Sequence, residues 1–259
     1  MHIVVCVKHV VDSTEIHVDK KTNELVLRGL STKINDYDKN AVEEAVKLKK
    51  ELGATVSLIS IGPRDAVKTL KEALAMGADN AYLLTVSPRQ QLDTAQVSLI
   101  LSKMVEKLDP VDLVLCGEVS EDGYNSQTGA RVAARLGLPA VSYVTALQAT
   151  EGGYEAVSTL EDTAETVKGP LPALLTVSSA INVPRLPTAI QIMKVRSDRI
   201  KQWKLKDLGL EDSVLETLAV TMLGYEIPEQ ERKNIMIDGT PAEAAKTLVK
   251  YLEEEKVMN

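Results

Sequence analysis

The densest run of side chains that could bind a ligand lies between Gly117 and Leu136, where the sequence reads GEVSEDGYNSQTGARVAARL. The run joins an apolar segment to an amphipathic one. A strand-to-helix junction of this composition can present backbone N–H groups and hydroxyls to a phosphate at the helix N-terminus. We therefore predict a phosphate-binding loop ahead of a helix opened by Gln127, Thr128 and Gly129. An ordinary polar loop with good capping residues is the alternative on local chemistry alone.

A second polar junction, Ile34 to Asp38 (INDYD), precedes another amphipathic segment. Either aspartate could cap the helix that follows. The junction could also contact the base or ribose of a nucleotide, and a plain helix cap is the alternative. Gly62-Pro63 ahead of Asp65 is a third junction of this kind, and we interpret it as an ordinary turn without a ligand-binding role.

Catalytic constellations are missing from the sequence. The three histidines, His2, His9 and His17, lack metal-ligand spacing and are predicted to be surface or strand-edge residues. The sequence also lacks a Gly-x-Ser-x-Gly elbow, a Walker-type phosphate loop and a Gly-x-Gly-x-x-Gly fingerprint. We expect the pair Glu43-Glu44 to be solvated on a helix surface. These patterns indicate ligand binding without acid–base or nucleophilic catalysis.

The elements that must position these loops alternate between short apolar runs and amphipathic stretches, which is typical of βαβ units around a parallel sheet. We predict an α/β fold, an open parallel sheet with helices on both faces. The predicted strands are His2–Lys8, Thr55–Gly62, Asn80–Val86, Asp112–Gly117 and Val141–Leu147. The predicted helices are Lys39–Leu52, Asp65–Met76 and Leu92–Leu108.

The pattern changes beyond Thr150. Gly152-Gly153 opens a predicted hairpin, a small β ribbon of strands 154–160 and 163–168, and an apolar strand follows at 173–178. From Pro184 the chain becomes cationic, and the run Thr240 to Glu243 predicts a capped final helix ending near Glu254. We predict a nucleotide-binding core at residues 1–183 and, at 184–259, a partner-recognition loop with a C-terminal arm that wraps a partner subunit.

Composition narrows the function classes. The chain of 259 residues carries a formal charge of −7, which argues against nucleic-acid binding because such binding depends on cationic groups that neutralise phosphates. Cys6 and Cys116 lie in apolar runs, which indicates reduced, buried thiols. The sequence shows no signal peptide and no apolar run of membrane-spanning length, so we expect a cytoplasmic protein without direct membrane insertion.

Several segments taken together resemble the β subunit of electron-transfer flavoproteins, and the resemblance covers nearly the whole chain. Each segment is weak evidence alone, but their order and spacing are highly specific. The segments are IVVCVKHV (3–10), INDYDKNAVEEAVKLK (34–49), Gly62-Pro63, ALAMGAD (73–79), Gln127-Thr128-Gly129, LGLPAVSYV (136–144), NVPR (182–185) and Ile192-Met193-Lys194.

The resemblance implies an adenine-nucleotide-hydrolase-like sheet and a heterodimer with an α subunit that carries a redox-active FAD. It further implies that this chain binds AMP in a structural role, or a second FAD in an electron-bifurcating complex. A dehydrogenase would donate electrons, and a quinone-reductase-type or other acceptor would receive them. Carried over by position, the nucleotide contacts are Cys6, Asn35, Asp36, Tyr37, Asp38, Ile61, Gly117, Asp122, Asn125, Ser126, Gln127 and Thr128.

Two departures from the family pattern leave alternatives open. Ser126 stands where the mitochondrial-type pattern has asparagine before Gln-Thr-Gly, and the bifurcating pattern is only partly kept, so AMP and FAD both remain possible ligands. Thr188 to Gln191 replaces the Leu-Pro of members that bind acyl-CoA dehydrogenases. Two other functions compete with the electron carrier: an ATP-using adenylating enzyme of the same fold, and a nucleotide-sensing module without redox chemistry.

Overall fold

The computed structural model describes residues 1–19, 21–22, 24–26, 29–88, 90–150, 152–216, 218–221, 223–224 and 233–257. The chain divides into two compact units, Met1–Leu223 and Gly224–Asn259. The strands of the described part are β1 (His2–Cys6), β2 (His9–Val11), β3 (His17–Val18), β4 (Leu25–Val26), β5 (Thr32–Ile34), β6 (Thr55–Gly62), β7 (Asn80–Thr85), β8 (Leu113–Gly117), β9 (Ala140–Ala149), β10 (Gly153–Thr159), β11 (Ala164–Pro170), β12 (Ala173–Val177) and β13 (Ile200–Trp203). The α-helices are α1 (Asp36–Leu52), α2 (Ala66–Met76), α3 (Thr94–Lys107), α4 (Thr128–Leu136), α5 (Ala189–Met193) and α6 (Pro241–Glu254).

Nine strands of the first unit form one sheet in the order β11-β10-β9-β12-β8-β1-β6-β7-β13. From β9 to β13 every neighbouring pair is parallel, whereas β10 pairs antiparallel with both β9 and β11. The predicted hairpin therefore extends the edge of the main sheet. This mostly parallel sheet confirms the predicted α/β class.

The central strands are buried on both faces, as their nearly continuous apolar sequences require. Alternate residues of β1 enter two separate cores. Ile3 and Val5 pack on the side that holds α1 and α2, while Val4 and Cys6 pack on the side that holds α3 and α4. The helices thus cover both faces of the sheet, as predicted.

Most predicted boundaries agree with the structure to within two residues. The largest difference is at α1, which begins at Asp36 rather than at Lys39. The sequence signal failed there because Asp36 and Tyr37 are polar or half-exposed, so hydrophobic periodicity does not register the first turn of the helix. Gly53 ends α1 with a φ of 67°, a left-handed conformation that glycine adopts without steric cost.

The part of the chain between Pro184 and Leu223 belongs to the first unit and packs within it. Trp203 of β13 lies 4.5 Å from the ring of Tyr82 in β7, centroid to centroid. Asp93 caps α3 and also accepts hydrogen bonds from the backbone N–H groups of Ala219 (2.5 Å) and Val220 (3.1 Å). The predicted boundary at residue 184, between a nucleotide-binding core and an arm that wraps a partner subunit, stays a prediction.

The second unit contains one helix, α6, among its described residues. Thr240 caps it, Pro241 occupies its first turn, and the carboxylate of Glu243 accepts a hydrogen bond from Thr240 N at 2.9 Å. This capping box confirms the predicted helix start. Within the described residues of both units, no helix is long and apolar enough to cross a membrane.

The expectation that Glu43 and Glu44 are solvated was wrong. Glu44 is fully buried, and its carboxylate accepts a hydrogen bond from Asn182 Nδ2 at 3.1 Å. The Glu43 carboxylate accepts hydrogen bonds from Arg185 Nε and from a terminal nitrogen of Arg185, each at 2.6 Å. The segment that contains Asn182 and Arg185 crosses over α1 and covers both carboxylates, a contact that helix periodicity cannot reveal.

Candidate functional site

The order of the strands creates a topological switch at β1. The chain runs from β1 outward through β6 and β7 on one side, and then returns to place β8 and β12 on the other side. The carboxyl ends of β1 and β8 therefore diverge into connections on opposite faces, which opens a crevice between them. Ligands of open α/β sheets bind at such a point. Because β1 and β8 pair in parallel, the loop after Gly117 lies beside the end of β1.

Asn35 connects the three segments that surround this crevice. Its backbone N–H donates to Lys8 O at 3.1 Å, its side-chain Nδ2 donates to Val119 O at 2.9 Å, and its Oδ1 accepts from Glu121 N at 3.1 Å. The side chain is 1% exposed. Asn35 thus holds the loop after β8 against the start of α1 and the end of β1.

Asp38 holds the two strands at the switch point together. Its carboxylate accepts hydrogen bonds from Lys8 N at 2.7 Å and from Gly117 N at 3.1 Å. The prediction that an aspartate caps α1 was wrong, because Asn35 occupies the N-cap position without a side-chain hydrogen bond to the helix. Burial raises the pKa of Asp38 to about 7, although the two N–H donors act in the opposite direction.

Asp36 belongs to a more exposed cluster of charges at the same edge. Lys33 Nζ lies 2.8 Å from an oxygen of Asp36 and 3.0 Å from an oxygen of Glu121. Desolvation raises the pKa of Asp36, but the hydrogen bonds with Lys33, Glu121 and Lys39 outweigh it and lower the pKa to about 2. This cluster ties the loop after β8 to the strand that precedes α1.

The loop itself is exposed and has an unusual backbone. Tyr124 and Ser126 have positive φ angles of 49° and 51°. Ser126 is followed by Gln127 in a right-handed conformation, and such alternation turns successive N–H groups toward one side, where an anion could bind. The hydrogen bond in which the Tyr37 hydroxyl donates to Tyr124, together with burial, raises the pKa of Tyr37 to about 12. These contacts place Tyr37 beside the loop.

Helix α4 begins directly after the loop, as predicted. Its N-cap residue, Gln127, makes no side-chain capping hydrogen bond, so the N–H groups of the first turn lack the partner that a capping side chain supplies. The Gln127 side chain points elsewhere, because its Oε1 accepts from Thr94 Oγ1 at 3.2 Å and from Arg131 Nε at 3.1 Å. The helix N-terminus is a suitable position for a negatively charged group.

The remaining predicted residues occupy the same edge of the sheet. Cys6 ends β1, and Ile61 lies two positions beyond Ile59, the partner of Cys6 in the parallel β1–β6 ladder. Asp122 lies in the loop, with one carboxylate oxygen 2.6 Å from Lys8 Nζ. Asn125 and Thr128 also lie on this edge, in the loop and in the first turn of α4. All of the predicted residues share this edge, and their binding of a nucleotide stays a prediction.

Two cations lie at this edge in addition to the predicted nucleotide contacts: Lys8, which the sequence placed at the strand end beside the loop, and Arg131, which sequence reasoning missed. Lys8 lies at the end of β1 and also approaches Ser120 Oγ at 3.2 Å, while Arg131 projects from the first turns of α4. The spacing of Arg131 from Gln127 could have revealed this residue, since a side chain four positions into a helix shares the site's surface. No group of three or more metal-binding side chains occurs within the described ranges.

Comparisons with known proteins agree with one another. The family described as "Electron transfer flavoprotein domain" matches residues 22–208. The chain is 35% identical over 266 aligned positions to "Electron transfer flavoprotein subunit beta" of Thermoanaerobacterium thermosaccharolyticum, with all of both chains covered. It is 34% identical over 262 positions to "Caffeyl-CoA reductase-Etf complex subunit CarD" of Acetobacterium woodii, again with both chains covered completely. Over 219 positions it is 31% identical to "Protein FixA" of Bradyrhizobium diazoefficiens, covering 82% of this chain and 76% of the relative.

Proposed function

Since this chain belongs to the electron transfer flavoprotein family, as a β subunit, we propose that it binds an adenine nucleotide in the crevice between β1 and β8 and supports electron transfer within a heterodimer. The chain is an electron carrier subunit rather than an enzyme. The single observation that carries the nucleotide proposal is the convergence of the predicted loops at the topological switch point.

The residues at this edge fit the chemistry of an adenine nucleotide. Phosphate is an anion with several acceptor oxygens, and the first turn of α4, with Ser126 and Thr128, offers N–H and hydroxyl donors without a capping side chain. Lys8 and Arg131 supply positive charge nearby. The turn from Asn35 to Asp38 lies across the crevice, where we place the ribose and base.

The fit does not depend on aromatic stacking of a flavin ring. Aromatic residues make up 3% of the sequence, and at this edge Tyr37 and Tyr124 are hydrogen-bonded to each other. The adenylate half is therefore the part that these residues would hold, whether the ligand is AMP or a second FAD. Both ligands share this half, so the same donors serve either one.

In this proposal, electron transfer requires that the chain assemble with its α subunit. FAD in the α partner supplies the redox chemistry when bound. The role of this chain is to cover one side of that subunit and to keep the nucleotide-binding edge rigid through Asn35 and Asp38, which join α1, β1 and the loop after β8. A dehydrogenase donor and a quinone-reductase-type or other acceptor complete the proposed pathway, in the cytoplasm.

The test is to co-purify the chain with its α partner and to quantify the FAD and AMP released on denaturation, per heterodimer. One FAD with one AMP would support a simple carrier. Two FAD without AMP would support a bifurcating type, in which this chain holds the second flavin. A heterodimer with FAD in the α subunit alone and no nucleotide attributable to this chain would refute the proposed nucleotide site.

A charge variant locates the nucleotide. Thr128→Glu adds a carboxylate to the first turn of α4, which favours the helix but repels a phosphate. We expect nucleotide content to fall about tenfold or more, since losing one charge-assisted hydrogen bond costs about 1.5–3 kcal/mol. The matched control is Ala242→Glu, which adds the same charge to the first turn of α6. Equal nucleotide content in the two variants would contradict phosphate binding at α4.

A further inference from the structure

The two cysteines of this chain contact each other at the base of the crevice. Val5 of β1 and Leu115 of β8 are partners in the parallel ladder, and Cys6 and Cys116 follow one position later on each strand. Both side chains join the same core, on the side of the sheet that holds α3 and α4. Both cysteines are buried, and neither is in a disulfide.

The spacing of the two strands suits a covalent bridge. Neighbouring strands lie about 4.8 Å apart, which falls within the range of about 4.4–6.8 Å seen between the Cα atoms of disulfide-bonded cysteines. Asp38 fixes this separation, because its carboxylate binds the N–H of Gly117, directly after Cys116, and the N–H of Lys8, two positions after Cys6. The thiols are therefore held in register without a loop movement.

Both cysteines are buried, but they differ in position. Cys6 is 7% exposed and ends its strand at the crevice, while Cys116 is 4% exposed. The hydrogen bond with Cys6, together with burial, raises the pKa of Cys116 well above its ordinary value, so this side chain stays a thiol at neutral pH. Since Cys6 is the last residue of its strand, we expect an oxidant to react with Cys6 first.

We propose that Cys6 and Cys116 form an oxidisable dithiol, a redox modification site at the base of the crevice, which hydrogen peroxide converts to an intrachain disulfide. In the first step the sulfur of Cys6 attacks one peroxide oxygen, the O–O bond breaks, and Cys6 sulfenic acid and water are formed. In the second step the sulfur of Cys116 displaces the hydroxyl group of the sulfenic acid. The S–S bond forms, and the hydroxyl leaves as a second water with the thiol proton of Cys116. Peroxide is reduced and the two thiols are oxidised.

The test uses the purified heterodimer and measured additions of hydrogen peroxide. Free thiols are then blocked after denaturation, and the peptides are analysed by mass spectrometry with and without reduction. Because this chain has only two cysteines, an intrachain disulfide in it must join Cys6 to Cys116. We expect both thiols to disappear together, with a linked peptide pair lighter by two hydrogen atoms that reduction restores.

Single variants separate a dithiol from two independent thiols. In Cys6→Ser we expect Cys116 to stay reduced, because burial raises its pKa and keeps it a thiol. In Cys116→Ser we expect Cys6 to accumulate sulfenic and sulfinic acids. The proposal is overturned if Cys116 oxidises as fast in Cys6→Ser as in the native heterodimer, if the native pair ends as separate sulfonic acids, or if both thiols survive peroxide that oxidises a free thiol in solution.

An added nucleotide tests the location of the pair and rests on the proposed function. In the heterodimer stripped of its nucleotide and then reloaded with AMP or FAD, we expect the disulfide to form several-fold more slowly than in the stripped form, because the ligand would cover Cys6. Equal rates of cross-linking in the stripped and reloaded forms would support the dithiol proposal and contradict the proposed nucleotide site. Absence of the cross-link, with nucleotide still released from the heterodimer, would remove the dithiol and keep the nucleotide site.

Discussion

Gly117 lies where β8 meets the start of α1, and its hydrogen atom fills a space that no side chain can occupy. A Cβ at this position would lie 2.5 Å from Asp38 Oδ1 and 2.7 Å from Tyr37 Cβ. We predict that Gly117→Ala destabilises the protein by about 1–3 kcal/mol, as other overpacked substitutions do, and reduces nucleotide content. Thermal unfolding and nucleotide analysis of the heterodimer measure both effects.

Gly152→Ala is the matched control, since nothing lies within 4 Å of a Cβ at Gly152. It should unfold at the temperature of the native protein and keep its nucleotide. Equal unfolding temperatures and equal nucleotide content in the two alanine variants would show that the close approach of Gly117 to Asp38 does not contribute to stability or binding.

Asp38 makes stability depend on pH in a direction opposite to that of a paired surface carboxylate. Burial raises its pKa to about 7 in the folded protein, whereas an unfolded aspartate titrates near about 3.9. The folded state therefore binds more protons between these two values, and the contribution of Asp38 to stability falls as pH rises through this window. Below the window both states are protonated, and the contribution is constant.

Asp38→Asn removes this titration, so the comparison isolates it. We predict that the unfolding temperature of the native heterodimer minus that of Asp38→Asn decreases from pH 4 to pH 7 and levels off above, the limits following from the two pKa values. The variant should be less stable at pH 8, because its amide offers one acceptor oxygen where the carboxylate offers two. A difference that increases with pH across the window would contradict the raised pKa.

At the scale of the elements, α1 connects the candidate site to the segment that precedes α5. Arg185 holds Glu43 of α1 through two hydrogen bonds of 2.6 Å and a third from its backbone N–H at 3.1 Å. We predict that Arg185→Ala lowers the opening free energy of residues 183–193 by about 1.5–3 kcal/mol, since hydrogen bonds to a charged group are lost. Hydrogen–deuterium exchange of this segment measures the change.

Arg196→Ala is the matched control for this prediction. Among the described residues, Arg196 pairs with Asp198 alone, two positions away, and its side chain is 79% exposed, so its loss should leave exchange in residues 183–193 unchanged. Exchange in β1 and β8 should be unaffected in both variants. If residues 183–193 were as protected from exchange in Arg185→Ala as in Arg196→Ala, the ion pair between Arg185 and Glu43 would have no role in ordering this segment.

At the scale of the whole molecule, both units expose large apolar side chains. Val183, Leu186 and Met193 are 92%, 81% and 73% exposed in the first unit, and Met236 is 86% exposed in the second. Exposure of several large apolar groups on one chain marks interaction surfaces and aggregation hazards. We predict that the chain aggregates when expressed alone and stays soluble when co-expressed with its α partner.

Size-exclusion chromatography with light scattering distinguishes these outcomes. The isolated chain should elute as polydisperse material, and the co-expressed chain as a heterodimer. A stable, monodisperse monomer without affinity for an FAD-containing partner would count heavily against the carrier subunit. The same result would leave the α/β fold unaffected, because the first unit has two cores of its own.

Local signals in the sequence were sufficient for most elements. Alternating apolar runs predicted the strands of the parallel sheet, and the run from Thr240 to Glu243 predicted the start of α6 because a capping box needs only four adjacent residues. The junction from Gly117 to Gly129 was recognised for the same reason. Caps, turns and periodicity act over a few residues, so they can be read without knowledge of the fold.

Long-range pairing decided the rest. The hydrogen bond between Asp38 and Gly117 joins residues 79 positions apart, and the one between Asn182 and Glu44 joins residues 138 positions apart. The contact between the two cysteines exists because β8 returns to lie beside β1 rather than beside β7. A carboxylate on a helix or a thiol in a strand has the same local pattern whether it is solvated, clamped or paired. Its environment depends on which distant segment covers it, and that is set by the order of the strands and by the packing of the chain over them.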